Sequence, residues 1–292
     1  MTKQRILLID GDNMAHRATH RFGNFTTQTG DPSGVVFGVP FMVHSLLNKL
    51  HPDQVFAVFD GGKAQWRKDL LPTYKDREHR IDLDYESFFE QKNQVMEVLS
   101  NLGVRVVWKK GEEADDLIAA LTKSLKGYIT IVSSDKDFNQ LLAPNIKIFK
   151  PSNSTLLTHE NLEEHVGYTP SQCVDWLCLL GDASDKIPGV RGLGEKRITN
   201  FLKEHGSIKN FLESDATGFG SIGREAIETT YKLNRKLISL NYAYYKYWKR
   251  FPLPPINPSH FDQAKVSVIF RKYEVNLLSK PGFIQHFQKL TI

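Results

Sequence analysis

The sequence predicts an α/β protein built on a mainly parallel sheet, and three observations carry that prediction. Apolar runs alternate with stretches of helical periodicity over roughly the first 150 residues, the order that gives parallel strands joined by crossover helices. Arg5-Ile6-Leu7-Leu8-Ile9 and Gln54-Val55-Phe56-Ala57-Val58-Phe59 are continuous apolar runs, the pattern of strands buried on both faces. Beyond about residue 150 the strand pattern fades and helical segments take over.

Length and composition set the limits. A chain of 292 residues with 40% hydrophobic and 24% charged residues fits an ordinary globular protein of one or two domains. No apolar run is long enough for a membrane span, and Met1-Thr2-Lys3-Gln4-Arg5 leads into a strand rather than a signal peptide. Cys173 and Cys178 offer neither a disulfide framework nor zinc spacing, so a reducing, cytoplasmic setting is expected. A net charge of +5 and a pI near 9.0 are compatible with a polyanionic partner without requiring one.

Taken in order, the first strand ends in Asp10-Gly11-Asp12-Asn13 and reads into a polar, glycine-containing loop. Gly34 to Leu50 has helical spacing, with Pro40 predicting a kink or a later start. The second strand ends in Asp60-Gly61-Gly62. Residues 63–90 change character: Lys63, Arg67, Lys68, Lys75, Arg77, His79 and Arg80 are interleaved with Trp66, Tyr74, Tyr85, Phe88 and Phe89. That mixture suits a solvated loop or a surface that stacks on bases. Helical periodicity resumes near Gln91 and ends at Gly103. Val104 to Trp108 is a third strand, and the helix predicted from Glu112 to about Leu125 starts with Glu112, Glu113, Asp115 and Asp116. Tyr128 to Val132 is a fourth strand, ending in Ser133-Ser134-Asp135-Lys136-Asp137, and Ile146 to Phe149 a fifth. Helices follow at about 170–180, after Gly194, and from about Gly223 to Tyr242. A last one begins near Ser259, whose Ser-x-x-Asp start resembles a weak capping box.

Ligands of open parallel sheets bind beyond the carboxyl ends of the strands, and the acids gather there. Asp10, Asp60, Glu113, Asp115, Asp116, Asp135, Asp137, Asp182 and Asp185 are candidates for one site. Acids in a first helical turn are ordinary, which leaves Asp116 the weakest of them and Glu112 solvent-facing. Packed carboxylates raise one another's pKa unless a cation joins them. An all-oxygen set selects Mg2+ or Mn2+, and the acids suffice for two ions, which can activate a water in phosphodiester hydrolysis. A second constellation, Gly189-Val190-x-Gly192-Leu193-Gly194-x-Lys196-Arg197, offers a tight turn, a helix start and cations to phosphates. A helix–turn–helix corner that merely needs glycine would look similar.

These motifs resemble the 5′-nuclease or flap-endonuclease family, which includes stand-alone bacteriophage 5′-3′ exonucleases and the 5′-nuclease domain of bacterial DNA polymerase I. The match runs through Leu8-Ile-Asp10-Gly, Phe59-Asp60-Gly, Leu71-Pro-x-Tyr74-Lys75, Gly111-x-Glu113-Ala-Asp115-Asp116, Ser134-Asp135-Lys-Asp137-Phe, Gly181-Asp182-x-Ser-Asp185 and Ile187-Pro-Gly-Val-x-Gly192-x-Gly194-x-Lys196. The resemblance implies a PIN-like α/β fold: a mainly parallel sheet with helices on both faces, a helical arch insertion and a C-terminal helix–three-turn–helix module. It implies a catalytic domain over residues 1–180, with the arch at about 62–100, and a DNA-binding region over 181–292. Asp10, Asp60, Glu113 and Asp115 would surround one Mg2+, and Asp135, Asp137, Asp182 and Asp185 a second. Lys75 would contact the scissile phosphate, Tyr74 would stack on a base, and Arg77 or Arg80 would serve as the arch arginine. The glycine turn would bind duplex phosphates, its carbonyls holding a K+ ion. The implied substrates are DNA with a 5′ flap, nick or free 5′ end, and RNA–DNA hybrids. The expected protein is a monomer of the cytoplasm, the host's if phage-encoded, away from membranes, with any polymerase or single-strand-binding partner unspecified.

The chain departs from the family pattern where Lys186 replaces an asparagine and where Asp12 adds an acid. Lys186 keeps open a non-catalytic binder of branched DNA. A phosphatase is the remaining alternative, because Asp10-Gly11-Asp12 resembles the Asp-x-Asp nucleophile of haloacid-dehalogenase-like enzymes, though it leaves most of the acids and the glycine turn without a role.

Overall fold

A computed structural model describes residues 4–76, 84–248, 256 and 259–291. Six strands form one sheet: β1 (Arg5–Asp10), β2 (Gln54–Val58), β3 (Arg105–Val107), β4 (Tyr128–Val132), β5 (Ile146–Lys150) and β6 (Thr155–Leu157), in the order β3-β2-β1-β4-β5-β6. The first five are parallel; β6, unforeseen in the sequence, pairs antiparallel with β5. β1 is flanked by β2 and β4, with Asp10 level with Val58 and Ile9 level with Val132. That register brings the ends of three strands, and the acids on or just after them, to one edge of the sheet.

The period-two alternation along β1 divides the core. Ile6 and Leu8 face a cluster shared with Phe56, Ile131, α5 (Ala114–Ser124), α7 (Cys173–Leu180), α8 (Glu195–His205) and α10 (Arg224–Ile238). Leu7 and Ile9 face the opposite cluster, built on α1 (Gly11–Phe22), α2 (Gly34–Leu50), α4 (Tyr85–Asn101), α12 (Gln263–Lys272) and α13 (Phe283–Gln288). Each such fully buried aliphatic side chain contributes on the order of 1.5–3 kcal/mol. The short helices α3 (Gln65–Leu70), α6 (Leu162–Val166), α9 (Ile208–Glu213) and α11 (Leu240–Ala243) complete the series. Among the described residues no helix is long and apolar enough to cross a membrane.

Several local expectations are corrected. The residues after Asp10 form α1 rather than a loop: the Asp10 side chain accepts from the Asn13 N–H, and the buried stripe is Met14, Ala15 and Ala18, whose small side chains give a weak periodic signal. α4 begins at Tyr85, capped by Asp84, and its buried face carries Gln91 and Lys92 beside Phe88, which hides the apolar period there. α2 starts at Gly34 and continues through Pro40, which excludes the later start. The long segment after Gly223 breaks at Ser239, which caps α11 through the Tyr242 N–H. α12 is capped by Asp262, not Ser259.

Candidate metal centre and nucleic-acid interface

Asp10 closes β1, and its two oxygens accept from the Asn13 N–H at 3.1 Å and the Ser133 hydroxyl at 2.8 Å. Asp60 lies two residues beyond β2 and accepts from the Ala114 N–H at 2.7 Å, which ties the start of α5 to the end of β2. Asp135 follows β4 and accepts from the Asp137 N–H at 2.9 Å. Burial pushes Asp10 up to about 8, helped by the charges of Asp60 and Asp135. Burial and the Asp12 charge push Asp60 up to about 7. Asp135 and Asp137 are raised by burial and by acids that include Asp115, Asp182 and Asp185.

Asp182 sits on the first strand of a short hairpin, β7 (Gly181–Asp182) and β8 (Ile187–Pro188). Burial draws its pKa up, but hydrogen bonds from Ser184 and the Lys136 ammonium, 3.3 Å away, hold it below the ordinary value. Lys186, in this hairpin, takes a left-handed backbone (φ 59°), a conformation asparagine adopts more readily than lysine. It is exposed.

Among the described residues no three His, Cys, Asp or Glu side chains form a ready-made ligand cage. The donor set nevertheless fits hard divalent cations. The side-chain donors are carboxylate oxygens, the Asp137 Oδ1 is buried without a hydrogen-bond partner, and Asp10 and Asp60 hold protons near neutrality when no cation compensates them.

The third wall is the start of α5. Glu113 is 2% exposed; one oxygen accepts from the Ala64 N–H at 3.1 Å, the other from Tyr74 Oη at 2.8 Å, Lys75 Nζ at 2.9 Å and Arg67 Nη1 at 3.2 Å. Burial would raise its pKa, but Lys75 and Arg67 hold it low. Lys75 reaches it from a left-handed backbone (φ 49°), its N–H donating to the Asp185 carbonyl. Strain of this kind persists where surrounding contacts over-determine it, and such places cluster at functional sites.

Three expectations change here. Asp116 is not poised as a metal ligand: both its oxygens are held by Arg67, at 2.6 and 2.8 Å, inside the protein. Tyr74 presents no face for stacking, since it is 2% exposed and spends its hydroxyl on Glu113. Glu112 is half-buried rather than solvent-facing. Asp115 lies nearer the surface, with one oxygen accepting the Asp116 N–H at 2.6 Å. Arg77 and Arg80 lie outside the described residues.

Sequence reasoning missed the residues that hold these groups in place. Arg67 looked like one cation in a solvated run, yet it is 1% exposed and also donates to the Leu237 carbonyl at 2.9 Å. Ser133 was visible only as part of the motif after β4. The basic-aromatic composition of 63–90 was the available signal for Arg67, because aromatic neighbours can bury a guanidinium; Trp66 and Tyr74 flank it here.

The glycine turn leads from β8 into α8. A side chain at Gly189 would collide with the Leu180 carbonyl, 2.0 Å from a Cβ placed there, and Gly192 has φ 88°. Val190 and Leu193 are buried anchors, while Gly194 and Lys196 are exposed at the start of α8. Arg197 donates to the Gly192 carbonyl at 2.7 Å. A K+ ion on that oxygen would therefore share it with a guanidinium or displace it.

Carboxylates gathered at the ends of parallel strands, beside a lysine and a glycine turn that opens a helix, are the arrangement expected of a metal-dependent nuclease. The chain belongs to the 5′-3′ exonuclease family. It matches the family's N-terminal resolvase-like domain over residues 5–167 and its C-terminal SAM fold over residues 168–245. A 5′-3′ exonuclease of Buchnera aphidicola is 32% identical over 216 residues, 73% of this chain and 74% of that protein. The thermostable DNA polymerase I of Thermus thermophilus is 36% identical over 218 residues, 73% of this chain but 25% of the polymerase. Among solved structures, the T5 D15 protein co-crystallised with metal ions shares the fold (TM-score 0.69, 20% identity, covering 93% of this chain and 98% of that one).

Proposed function

We propose that this protein is a divalent-metal-dependent, structure-specific 5′ nuclease acting on 5′ flaps, nicks and free 5′ ends of DNA, with RNA primers in RNA–DNA hybrids as further substrates. The observation that carries the reading is the set of acids gathered at the strand ends, partly open to solvent yet raised toward neutrality by desolvation and by one another, next to Lys75. Asp10, Asp60, Glu113 and Asp115 would hold one Mg2+ or Mn2+, and Asp135, Asp137, Asp182 and Asp185 a second. Bound there, two such ions lower the pKa of an attacking water and neutralise the leaving oxygen.

The chain's own groups do the rest. Lys75 is 22% exposed and within 2.9 Å of Glu113, so its ammonium can turn from that carboxylate to an incoming scissile phosphate. Arg67 and Tyr74 keep Glu113 in place while it does so. Lys196 and Arg197, with the free N–H groups at the start of α8, bind duplex phosphates without reading bases. Asp116 takes no ligand role. The products carry a 5′-phosphate and a 3′-hydroxyl.

The test is a 5′-labelled flap substrate with and without Mg2+. Release of a short labelled product only with the metal is expected. Tight flap binding without cleavage in Mg2+ or Mn2+ would favour the non-catalytic binder.

A further inference from the structure

Asp12 and Lys92 stand outside the ligand set assigned above, yet they touch it. Lys92, on α4, is buried; its Nζ forms an ion pair with Asp12 Oδ1 and lies 3.5 Å from the Asp60 carbonyl oxygen. The other oxygen, Asp12 Oδ2, accepts from the Asp60 N–H at 2.7 Å. The same ammonium sits over the rings of Phe59 and Phe89, 5.8 Å from each centroid. An acid in the first turn of α1 is explained by the helix dipole alone. A buried lysine brought against it from a helix eighty positions along the chain is not.

We propose that Asp12 and Lys92 act as one charge-neutral positioning pair, which fixes the Asp60 main chain for cation binding and ties α4 to the floor of the site. The inference rests on Asp60 being a metal ligand; Asp12 itself is not one. Either charge alone would do harm. A lone ammonium here would be drawn to the Asp60 carboxylate and compete with the cation. A lone Asp12 carboxylate would add another like charge to a crowded set. Together they cancel, and a pair this buried is costly to break from one side only. Because the first turns of α4 carry the last residues of the basic-aromatic stretch, the pair links that end of the stretch to a ligand of the site.

The experiment is a double-mutant cycle on Mn2+ affinity of the full chain without DNA, read by electron paramagnetic resonance. D12S and K92M should each weaken Mn2+ binding by roughly 10-fold, and D12S/K92M should return to within about 3-fold of wild type, a coupling in the range seen for contacting charges. K92R, which keeps the partner, should bind nearly as wild type does. A cycle with D12N and K92Q replaces any variant that fails to fold. Equal weakening in D12S and D12S/K92M, or strictly additive effects, would overturn the pairing and make Asp12 a ligand in its own right. No Mn2+ binding by the wild-type protein would instead overturn the assignment of Asp60, and the pairing with it.

Discussion

Replacing Arg67 by methionine should cost about 3–5 kcal/mol of folding free energy, the penalty for leaving the partner of a buried ion pair behind. The structure sets that size. Arg67 gives two hydrogen bonds to Asp116, one to Glu113 and one to the Leu237 carbonyl, all inside the protein. Methionine keeps much of the stem's apolar volume but supplies none of these donors. The Asp116 side chain has no exposure to water in its present place, so no solvent hydrogen bond replaces the lost ones without local opening. The Leu237 bond also joins α3 to the end of α10, so part of the loss falls on packing between the sheet's helices and the C-terminal region. The assay is urea unfolding in EDTA at neutral pH for wild type, R67M, D116L and R67M/D116L. The double variant should be more stable than R67M, because removing both charges avoids the stranded carboxylate. An R67M loss below about 1 kcal/mol, or a double variant no more stable than R67M, would refute the reasoning.

Three further outcomes follow from the same geometry. Lys75→Ala should lower kcat on a flap by roughly 100-fold while flap Kd changes by less than about 3-fold, since the ammonium acts on charge at the scissile phosphate; equal losses in single-turnover rate and in affinity would contradict this. Lys196→Ala should weaken duplex binding and reduce the slope of log K against log salt by about 1, as expected for one lost phosphate contact; a titration at several salt concentrations with unchanged slope would remove Lys196 from the interface. Metal-free stability should fall as pH rises from about 4 to about 8: Asp10 and Asp60, at about 8 and about 7 when folded, bind protons more tightly than in the unfolded chain, so their contribution is complete below the unfolded value of 3.8 and is lost as pH passes the folded values. Thermal melts in EDTA check this, and added Mg2+ should flatten the dependence; a melting temperature that climbs over the same range would contradict it.

The sheet was legible because its strands are apolar on both faces, and the acids at their ends were legible because Asp10, Asp60 and Asp135 stand at, or within three residues of, the carboxyl ends of β1, β2 and β4. What stayed hidden depended on partners distant in sequence. α1 was obscured because its buried stripe relies on Ala15 and Ala18, which pack well but weigh little in a hydrophobic pattern. The start of α4 is hidden in the sequence because Gln91 and Lys92 occupy buried positions, Gln91 accepting from the Val35 N–H at the start of α2 and Lys92 meeting Asp12. Asp115 and Asp116 are adjacent and chemically identical, yet one stands near the surface while Arg67 takes both oxygens of the other. No spacing rule distinguishes them; only the fold, which brings α3 under α5, does.

The central claim is that the acids of the strand ends, and not Asp116 or Asp12, hold divalent cations. Crystals grown with Mn2+ and measured for anomalous scattering test it most directly. Two peaks are expected, one bound by Asp10 and Asp60 with the acids at the start of α5, the other by Asp135 and Asp137 with Asp182 and Asp185. An absence of ions at these carboxylates, or an ion seated on Asp116 or Asp12, would contradict the account.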